Sequence, residues 1–225
     1  MGITAGADGN VWFTEGASNK IGRIVPGSAD TTPLTISISA PISTIYTLHQ
    51  AVAAQYSCSD VDSGVATCLG SVPNGSNIDT APIGTKTFTV NATDNAGNTA
   101  SQTVTYEVAY GICPLYDQAA GVKSGAPIPI KVQLCDVAGL NVSAASITVN
   151  ATGVSLATTN APRTLEDAGN ANPGNNFRFD STLGGTGGYI YNLSTKGLSA
   201  GIYLLSFRAT NEPGGVSHTV QFQIK

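Results

Sequence analysis

Apolar and polar side chains alternate on both sides of a short polar turn in residues 84–108. Phe88, Val90 and Ala92 fall on one face before the turn, and the alternation resumes after residues 94–98. A period of two around a turn rich in Asn and Gly predicts a β-hairpin with one buried face. A hairpin that is solvated on one side needs a second sheet to cover its apolar side. The stretch therefore predicts a β-sandwich, and it predicts no particular chemistry.

The composition favours strands and turns over helices. Charged residues make up 11% of the 225 residues, against roughly 25% in an average soluble protein. Hydrophobic residues make up 41%, which is enough for packed cores and argues against disorder. The ten Lys and Arg residues are spread along a chain of net charge −4, so we expect no nucleic acid partner. No apolar run approaches the ~20 residues of a membrane-spanning helix, so we expect no membrane span.

Residues 1–25 contain the sequence GADGNVWFTE, followed by a short loop and NKIGRI. They predict a turn at 8–10 and a pair of strands at 11–14 and 20–25. The pattern resembles a single repeat of the bacterial β-propellers related to virginiamycin B lyase and the NHL group. A propeller needs several blades to close, so one repeat does not imply the lyase activity. Three apolar side chains then need a partner in another domain or another chain, or stay mobile: Trp12, Phe13 and Ile21.

A first sandwich domain is predicted at residues 35–109, after a linker rich in Pro, Ser and Thr at 26–34. The domain contains a YxC strand, a D-x-x-SG loop closed by a second Cys, a G-x-x-ID-T segment and the hairpin GTKTFTVNATDNAGN. These features resemble the bacterial surface Ig-like modules grouped with HYR-type repeats, which implies an Ig-like β-sandwich. No Trp lies in the domain, so the Cys-Trp-Cys core of antibody domains is not expected.

A second sandwich is predicted at residues 110–225, with a long polar loop over 160–176. Its strands are expected at 128–134, 147–149, 154–158, 177–179, 189–193, 202–209 and 220–224. The sequence PIKV and the blocks around it resemble the PxKF domain found at the C-terminal ends of bacterial secreted proteins, with Val132 where Phe is usual. The chain as a whole is predicted to be all-β, with two tandem Ig-like antiparallel β-sandwiches after an N-terminal β-hairpin segment.

Four cysteines, Cys58, Cys68, Cys113 and Cys135, allow three disulfide connectivities. They form no CxxC pair and lie at no ligand spacing from a histidine, so a zinc site is not expected. Pairing Cys58 with Cys68 and Cys113 with Cys135 keeps each bond inside one predicted domain. The first bond is expected to close a loop and not to join the two sheets. The alternative is four free buried thiols, but this cysteine usage favours an oxidising compartment, outside the cell or on its surface.

The first sandwich also contains a set of candidate metal ligands. Asp60 and Asp62 lie in the loop after one predicted strand, and Asp94 and Asn98 lie in the hairpin turn. Ca²⁺ takes roughly six to eight oxygens, often from loops where carboxylates and carbonyls converge, so calcium is the candidate cofactor. In the alternative interpretation, Asp94 and Asn98 make local turn hydrogen bonds and Asp60 caps its own loop. The spacing does not match an EF-hand.

These features favour a non-catalytic structural or adhesive module, a stalk or spacer in a secreted or surface bacterial protein, in contact with other modules or copies of itself. One alternative is a filament subunit whose residues 1–25 add strands to an open sheet edge of the next molecule. Another is an accessory carbohydrate-binding module of a larger enzyme, which needs an exposed aromatic platform for glycans. Its candidates are three tyrosines for which core packing is the favoured interpretation: Tyr189, Tyr191 and Tyr203.

Overall fold

The computed structural model describes residues 2–25, 30–169 and 171–225. Residues 26–29 of the predicted linker lie outside the described residues. The described chain consists of β-strands and turns, with short 3-10 helices at Pro173–Asn175 and Leu183–Gly185. The predicted all-β class is confirmed.

The N-terminal segment is a small antiparallel sheet with the strands β1 (Ile3–Ala5), β2 (Val11–Glu15) and β3 (Lys20–Ile24). The central strand β2 pairs with both of the others. The sequence pattern predicts only β2 and β3, so the expected hairpin is corrected to three strands. The Asp8 carboxylate, which accepts hydrogen bonds from the Asn10 N–H and from Trp12 Nε1 (3.2 Å each), fixes the turn before β2. This turn reverses the chain so that β2 runs back alongside β1, and the three residues of β1 pair with it.

Residues 35–109 form two sheets. The smaller sheet pairs β4 (Thr35–Ala40) with β6 (Gln55–Ser59). The larger sheet contains β5 (Ile45–Thr47), β7 (Val65–Gly70), β8 (Gly84–Asp94) and β9 (Thr99–Ala109). Its strand order is β5-β9-β8-β7, and β5 pairs with β9 in parallel. The predicted hairpin is β8 and β9, and Phe88, Val90 and Ala92 are buried as the alternation predicts.

The strands from Gly111 to Ile224 form two sheets that enclose one apolar core, which we call the second sandwich. One sheet contains β10 (Gly111–Pro114), β12 (Ile128–Cys135), β15 (Arg178–Asp180) and β16 (Gly188–Leu193), in the order β10-β12-β16-β15. The other contains β11 (Gly121–Val122), β13 (Val149–Leu156), β14 (Pro162–Arg163), β17 (Gly201–Ala209) and β18 (His218–Ile224), in the order β11-β18-β17-β13-β14. The core between them includes Ile130, Leu134, Tyr191, Leu205 and Phe222, all fully buried.

Strand β13 replaces the two short strands expected at 147–149 and 154–158. Its pairing with β17 shifts register between Ala151 and Gly153. An extra residue at such a bulge breaks the period of two, so one strand looks like two in the sequence. The strand β14, which pairs with β13, also lies inside the stretch expected to be a long loop.

The chain divides into two compact units. The first consists of Met1–Ser37, Ser57–Cys68 and Asn91–Ser101. The second consists of Ile38–Tyr56, Leu69–Val90 and Gln102–Lys225. The sequence-based domain bounds, 35–109 and 110–225, remain a prediction.

The structure contains the Cys58–Cys68 and Cys113–Cys135 disulfides. Cys113 and Cys135 lie on the neighbouring strands β10 and β12. Cys58 lies on β6 and Cys68 on β7, which belong to different sheets. The expectation that this bond closes only a loop is therefore corrected, because it also joins the two sheets at the ends of that loop.

Candidate functional site

Three carboxylates from separate parts of the first compact unit converge at one point. Asp30 precedes β4, Asp60 follows β6 directly, and Asp94 is the last residue of β8. One carboxylate oxygen of each lies within 4.8 Å of the corresponding oxygen of the other two. We call Asp30, Asp60 and Asp94 the carboxylate cluster.

The loop after β6 positions Asp60. Its Oδ1 accepts hydrogen bonds from the N–H groups of Ser63 and Gly64 (2.9 Å each) and Asp62 (3.2 Å). Gly64 adopts a φ of 76°, in the left-handed region that glycine occupies without strain. The second oxygen, Oδ2, is buried and has no hydrogen-bond partner among the described residues. The expected loop capping is therefore present, and it uses only one of the two oxygens.

The turn of the β8–β9 hairpin positions Asp94, which is 3% exposed. Its Oδ1 accepts hydrogen bonds from the N–H groups of Ala96 (2.9 Å) and Asn98 (2.8 Å), and its Oδ2 accepts one from Asn98 Nδ2 (2.7 Å). Burial raises the pKa of Asp94, but these hydrogen bonds favour the ionised form and hold the pKa below its ordinary value. Asp94 is therefore a buried carboxylate that stays charged.

Asp30 is held in place by the same turn. Asn98 Nδ2 donates a second hydrogen bond to the main-chain oxygen of Asp30 (3.0 Å), and Asp30 Oδ1 accepts one from the Thr32 N–H (2.7 Å). The Ser63 side chain and then the Thr32 N–H favour the ionised form and lower the pKa of Asp30. Asp30 Oδ2 is buried without a hydrogen-bond partner among the described residues, like the Oδ2 of Asp60.

This arrangement fits a divalent cation. A buried carboxylate oxygen without a partner costs free energy, and like charges at this separation repel each other. A cation between the oxygens removes both costs. Oxygen-only ligands from loops and turns suit Ca²⁺, which tolerates irregular geometry, better than Zn²⁺, which prefers nitrogen and sulfur.

The structure changes the set of candidate ligands. It brings Asp60 and Asp94 together as the sequence predicts, and Asn98 lies beside them as a hydrogen-bond donor. Asp62 lies outside the carboxylate cluster and accepts a hydrogen bond from the Thr32 hydroxyl. Asp30 was missed because it belongs to the stretch interpreted as a linker. Its only local signal is the Asp-x-Thr pattern of an Asx turn.

The aromatic candidates occupy two different environments. Tyr189, Tyr191 and Tyr203 are 0–1% exposed, so the proposed glycan platform is wrong and the core-packing interpretation is confirmed. In the N-terminal sheet, Trp12 and Phe13 are half-buried, and Ile21 is 70% exposed. The Arg23 guanidinium lies 5.6 Å from the centre of the Trp12 ring. This sheet has no fully buried side chain in residues 2–25.

Among the described residues, no helix has the length and apolar character needed to cross a bilayer. No protein-family model matches the sequence, and no curated protein is significantly similar to it. The resemblances to propeller, HYR-type and PxKF modules therefore remain predictions.

Several solved structures resemble the chain at low identity. Domains 4 and 5 of the S-layer protein SbsC are 13% identical, with a TM-score of 0.26, over 86% of this chain and 98% of that chain. The N-terminal eight Ig domains of Down Syndrome Cell Adhesion Molecule are 11% identical, with a TM-score of 0.29, over 96% and 30%. The insect immune protein hemolin is 11% identical, with a TM-score of 0.27, over 99% and 61%. Likenesses this weak carry no argument about function.

Proposed function

We propose that the chain is a non-catalytic structural module of an extracellular or cell-surface protein, and that bound Ca²⁺ stabilises its first sandwich. The observation that carries the proposal is the pair of buried, unpartnered carboxylate oxygens on Asp30 and Asp60, next to the charged Asp94. The ligands come from three separate stretches of chain, so the cation would cross-link them. Such a site adds stiffness and carries out no reaction.

The disulfides support the proposed compartment, and the proposed calcium site is compatible with it. Disulfides persist in oxidising surroundings outside the cytosol, and the chain contains two. Calcium sites in extracellular modules have dissociation constants of about 10⁻⁴–10⁻³ M, which a site with few carboxylates can reach.

Calcium titration followed by calorimetry and thermal unfolding tests the proposal. We expect heat of binding at one site, and a higher unfolding temperature in Ca²⁺ than in chelator. A ligand at 100 times its dissociation constant stabilises the folded state by about 2.7 kcal/mol. Asp60→Asn should abolish the heat and the shift. The matched control is Asp62→Asn, which changes a neighbouring carboxylate outside the cluster and should leave both unchanged. If wild type shows no heat, or Asp62→Asn behaves like Asp60→Asn, the proposed site is wrong.

A second candidate, a self-assembling subunit, rests on the N-terminal sheet. Ile3 and Ile21 are 72% and 70% exposed, and Ile24 is also exposed. A small sheet gains stability by burying an apolar face, and no side chain of residues 2–25 is fully buried. Sedimentation of the full chain against a variant lacking residues 2–25 tests this candidate. Assembly that the truncation abolishes supports a filament subunit, and a monomer at high concentration removes that candidate.

A further inference from the structure

A tight turn at residues 47–50 holds a histidine in an uncommon backbone conformation. The turn closes with a hydrogen bond from the Gln50 N–H to the Thr47 oxygen (2.9 Å), and the His49 N–H binds the Thr80 oxygen (2.9 Å). His49 has a φ of 63°, in the left-handed region that residues with a side chain enter at a cost. Such a conformation persists only when surrounding contacts impose it, so we expect the contacts of His49 to hold the turn in place.

The His49 side chain contacts a buried carboxylate across the second compact unit. Its Nδ1 lies 3.1 Å from Asp136 Oδ2, and the Asp136 side chain is 7% exposed. The other oxygen of Asp136 accepts hydrogen bonds from the N–H groups of Ala138 and Leu140 (2.9 Å each). The hydrogen bond from His49, followed by that from the Leu140 N–H, lowers the pKa of Asp136. Asp136 is thus a fixed, charged partner at the end of β12.

The backbone next to His49 bridges two further segments. The Leu48 N–H donates to the Ala109 oxygen (2.8 Å), and the Leu48 oxygen accepts from the Val137 N–H (3.0 Å). A Cβ added at Gly111 would lie 3.0 Å from the Cys135 oxygen and 3.3 Å from a methyl group of Thr47. The turn therefore packs closely against the short connection between the two predicted sandwiches, where a side chain at residue 111 would be crowded.

We propose that residues 47–50 form a latch that fixes the connection at residues 109–111 against the turn that follows β12. His49 engages Asp136, and this contact holds Leu48 where its two main-chain groups bind Ala109 and Val137. The latch needs no metal, so it goes beyond the proposed function. Its consequence is that residues 109–111 keep one position relative to the turn that follows β12.

Hydrogen exchange measured by NMR on the full chain tests the latch through the Leu48 and Val137 amides. In His49→Asn we expect both amides to exchange at least ten times faster, while the core amides of Val90 and Val132 stay unchanged. Asn adopts the left-handed conformation readily, so this variant removes the contact with Asp136 and keeps the backbone. Unchanged exchange at Leu48 and Val137 would overturn the proposal.

A second variant separates the latch from backbone strain. His49→Gly relieves the strain and also removes the imidazole. The latch predicts faster exchange at Leu48 and Val137, as in His49→Asn, whereas relief of strain alone predicts slower exchange. Slower exchange in His49→Gly would therefore also contradict the latch. Asn160→Gly, at another left-handed residue (φ 54°), is the matched control and should leave both amides unchanged.

Discussion

The core of the second sandwich and the carboxylate cluster are both buried, but they satisfy their polar groups differently. In the second sandwich, Tyr189 and Tyr203 are fully buried, and their hydroxyls donate to the main-chain oxygens of Ala144 (2.9 Å) and Ser199 (3.0 Å). Among the described residues, that interior leaves no buried side-chain nitrogen or oxygen without a hydrogen-bond partner. In the carboxylate cluster, local hydrogen bonds use some of the oxygens and leave others buried without partners among the described residues. The carboxylate cluster is therefore the better candidate for a ligand site, because its buried oxygens lack hydrogen-bond partners.

The largest expected effect comes from opening the self-sufficient core. Phe207 is fully buried, and its ring centre lies 5.3 Å from that of Phe177. Phe207→Ala should reduce the free energy of unfolding by about 3–5 kcal/mol, because it removes apolar contacts and leaves a cavity. Urea unfolding should show the same loss with and without Ca²⁺. Phe179→Ala, at a half-buried ring, is the control and should cost less. A calcium-dependent loss in Phe207→Ala would contradict the independence of the two regions.

Removing a disulfide should lower the free energy of unfolding by a smaller amount, and only one of the two disulfides should affect calcium binding. The double variant Cys58→Ala/Cys68→Ala should lose about 2.5–3 kcal/mol of stability, since it frees a short loop in the unfolded chain. It should also weaken calcium binding, because Asp60 lies inside that loop. The matched control is Cys113→Ala/Cys135→Ala, which should lose about 3.5 kcal/mol and keep the calcium affinity. Equal calcium affinity in both double variants would show that the loop does not position Asp60.

Near neutral pH both regions should stay folded. Acid should destabilise the carboxylate cluster first, and alkali should destabilise the core of the second sandwich first. The pKa values of Asp30 and Asp94 lie below their ordinary value in the fold, so their stabilising contribution is present above about pH 3.9, the unfolded value, and is lost as the pH falls through the lower folded values. Burial, followed by the charge of Asp167, raises the pKa of Tyr191 to about 12. Its contribution is present below about pH 10 and is lost as the pH rises towards 12.

Carboxyl-carbon NMR shifts report the acid titration, and tyrosine absorbance reports the alkaline one. We expect the acid transition to affect the hairpin turn at Asp94 before the core around Tyr191, and the alkaline transition to do the reverse. Burial also raises the pKa of Tyr116 and Tyr189, so Tyr191→Phe should remove one of several late-titrating tyrosines from the alkaline titration and leave the acid titration unchanged. A single transition common to both regions at either extreme would mean that they unfold together and cannot be treated separately.

Local patterns in the sequence predicted the fold better than the candidate site. The alternation at Phe88, Val90 and Ala92 identifies a buried face because side-chain direction along a strand is a local property. Strand β1 was missed because three residues carry too little periodicity, and the bulge in β13 was misinterpreted because it breaks the period. Asp30 was missed for a different reason. Its partners lie 30 or more positions away in the chain, and no local pattern predicts that approach.

The disulfide Cys58–Cys68 has a consequence for where the chain can mature. The loop it closes contains Asp60, a member of the carboxylate cluster. Without the bond the chain loses less conformational freedom in the unfolded state, and the cost of ordering the loop opposes binding at the proposed site. The proposed calcium site would then be coupled to oxidation, with a higher metal affinity once the disulfide has formed.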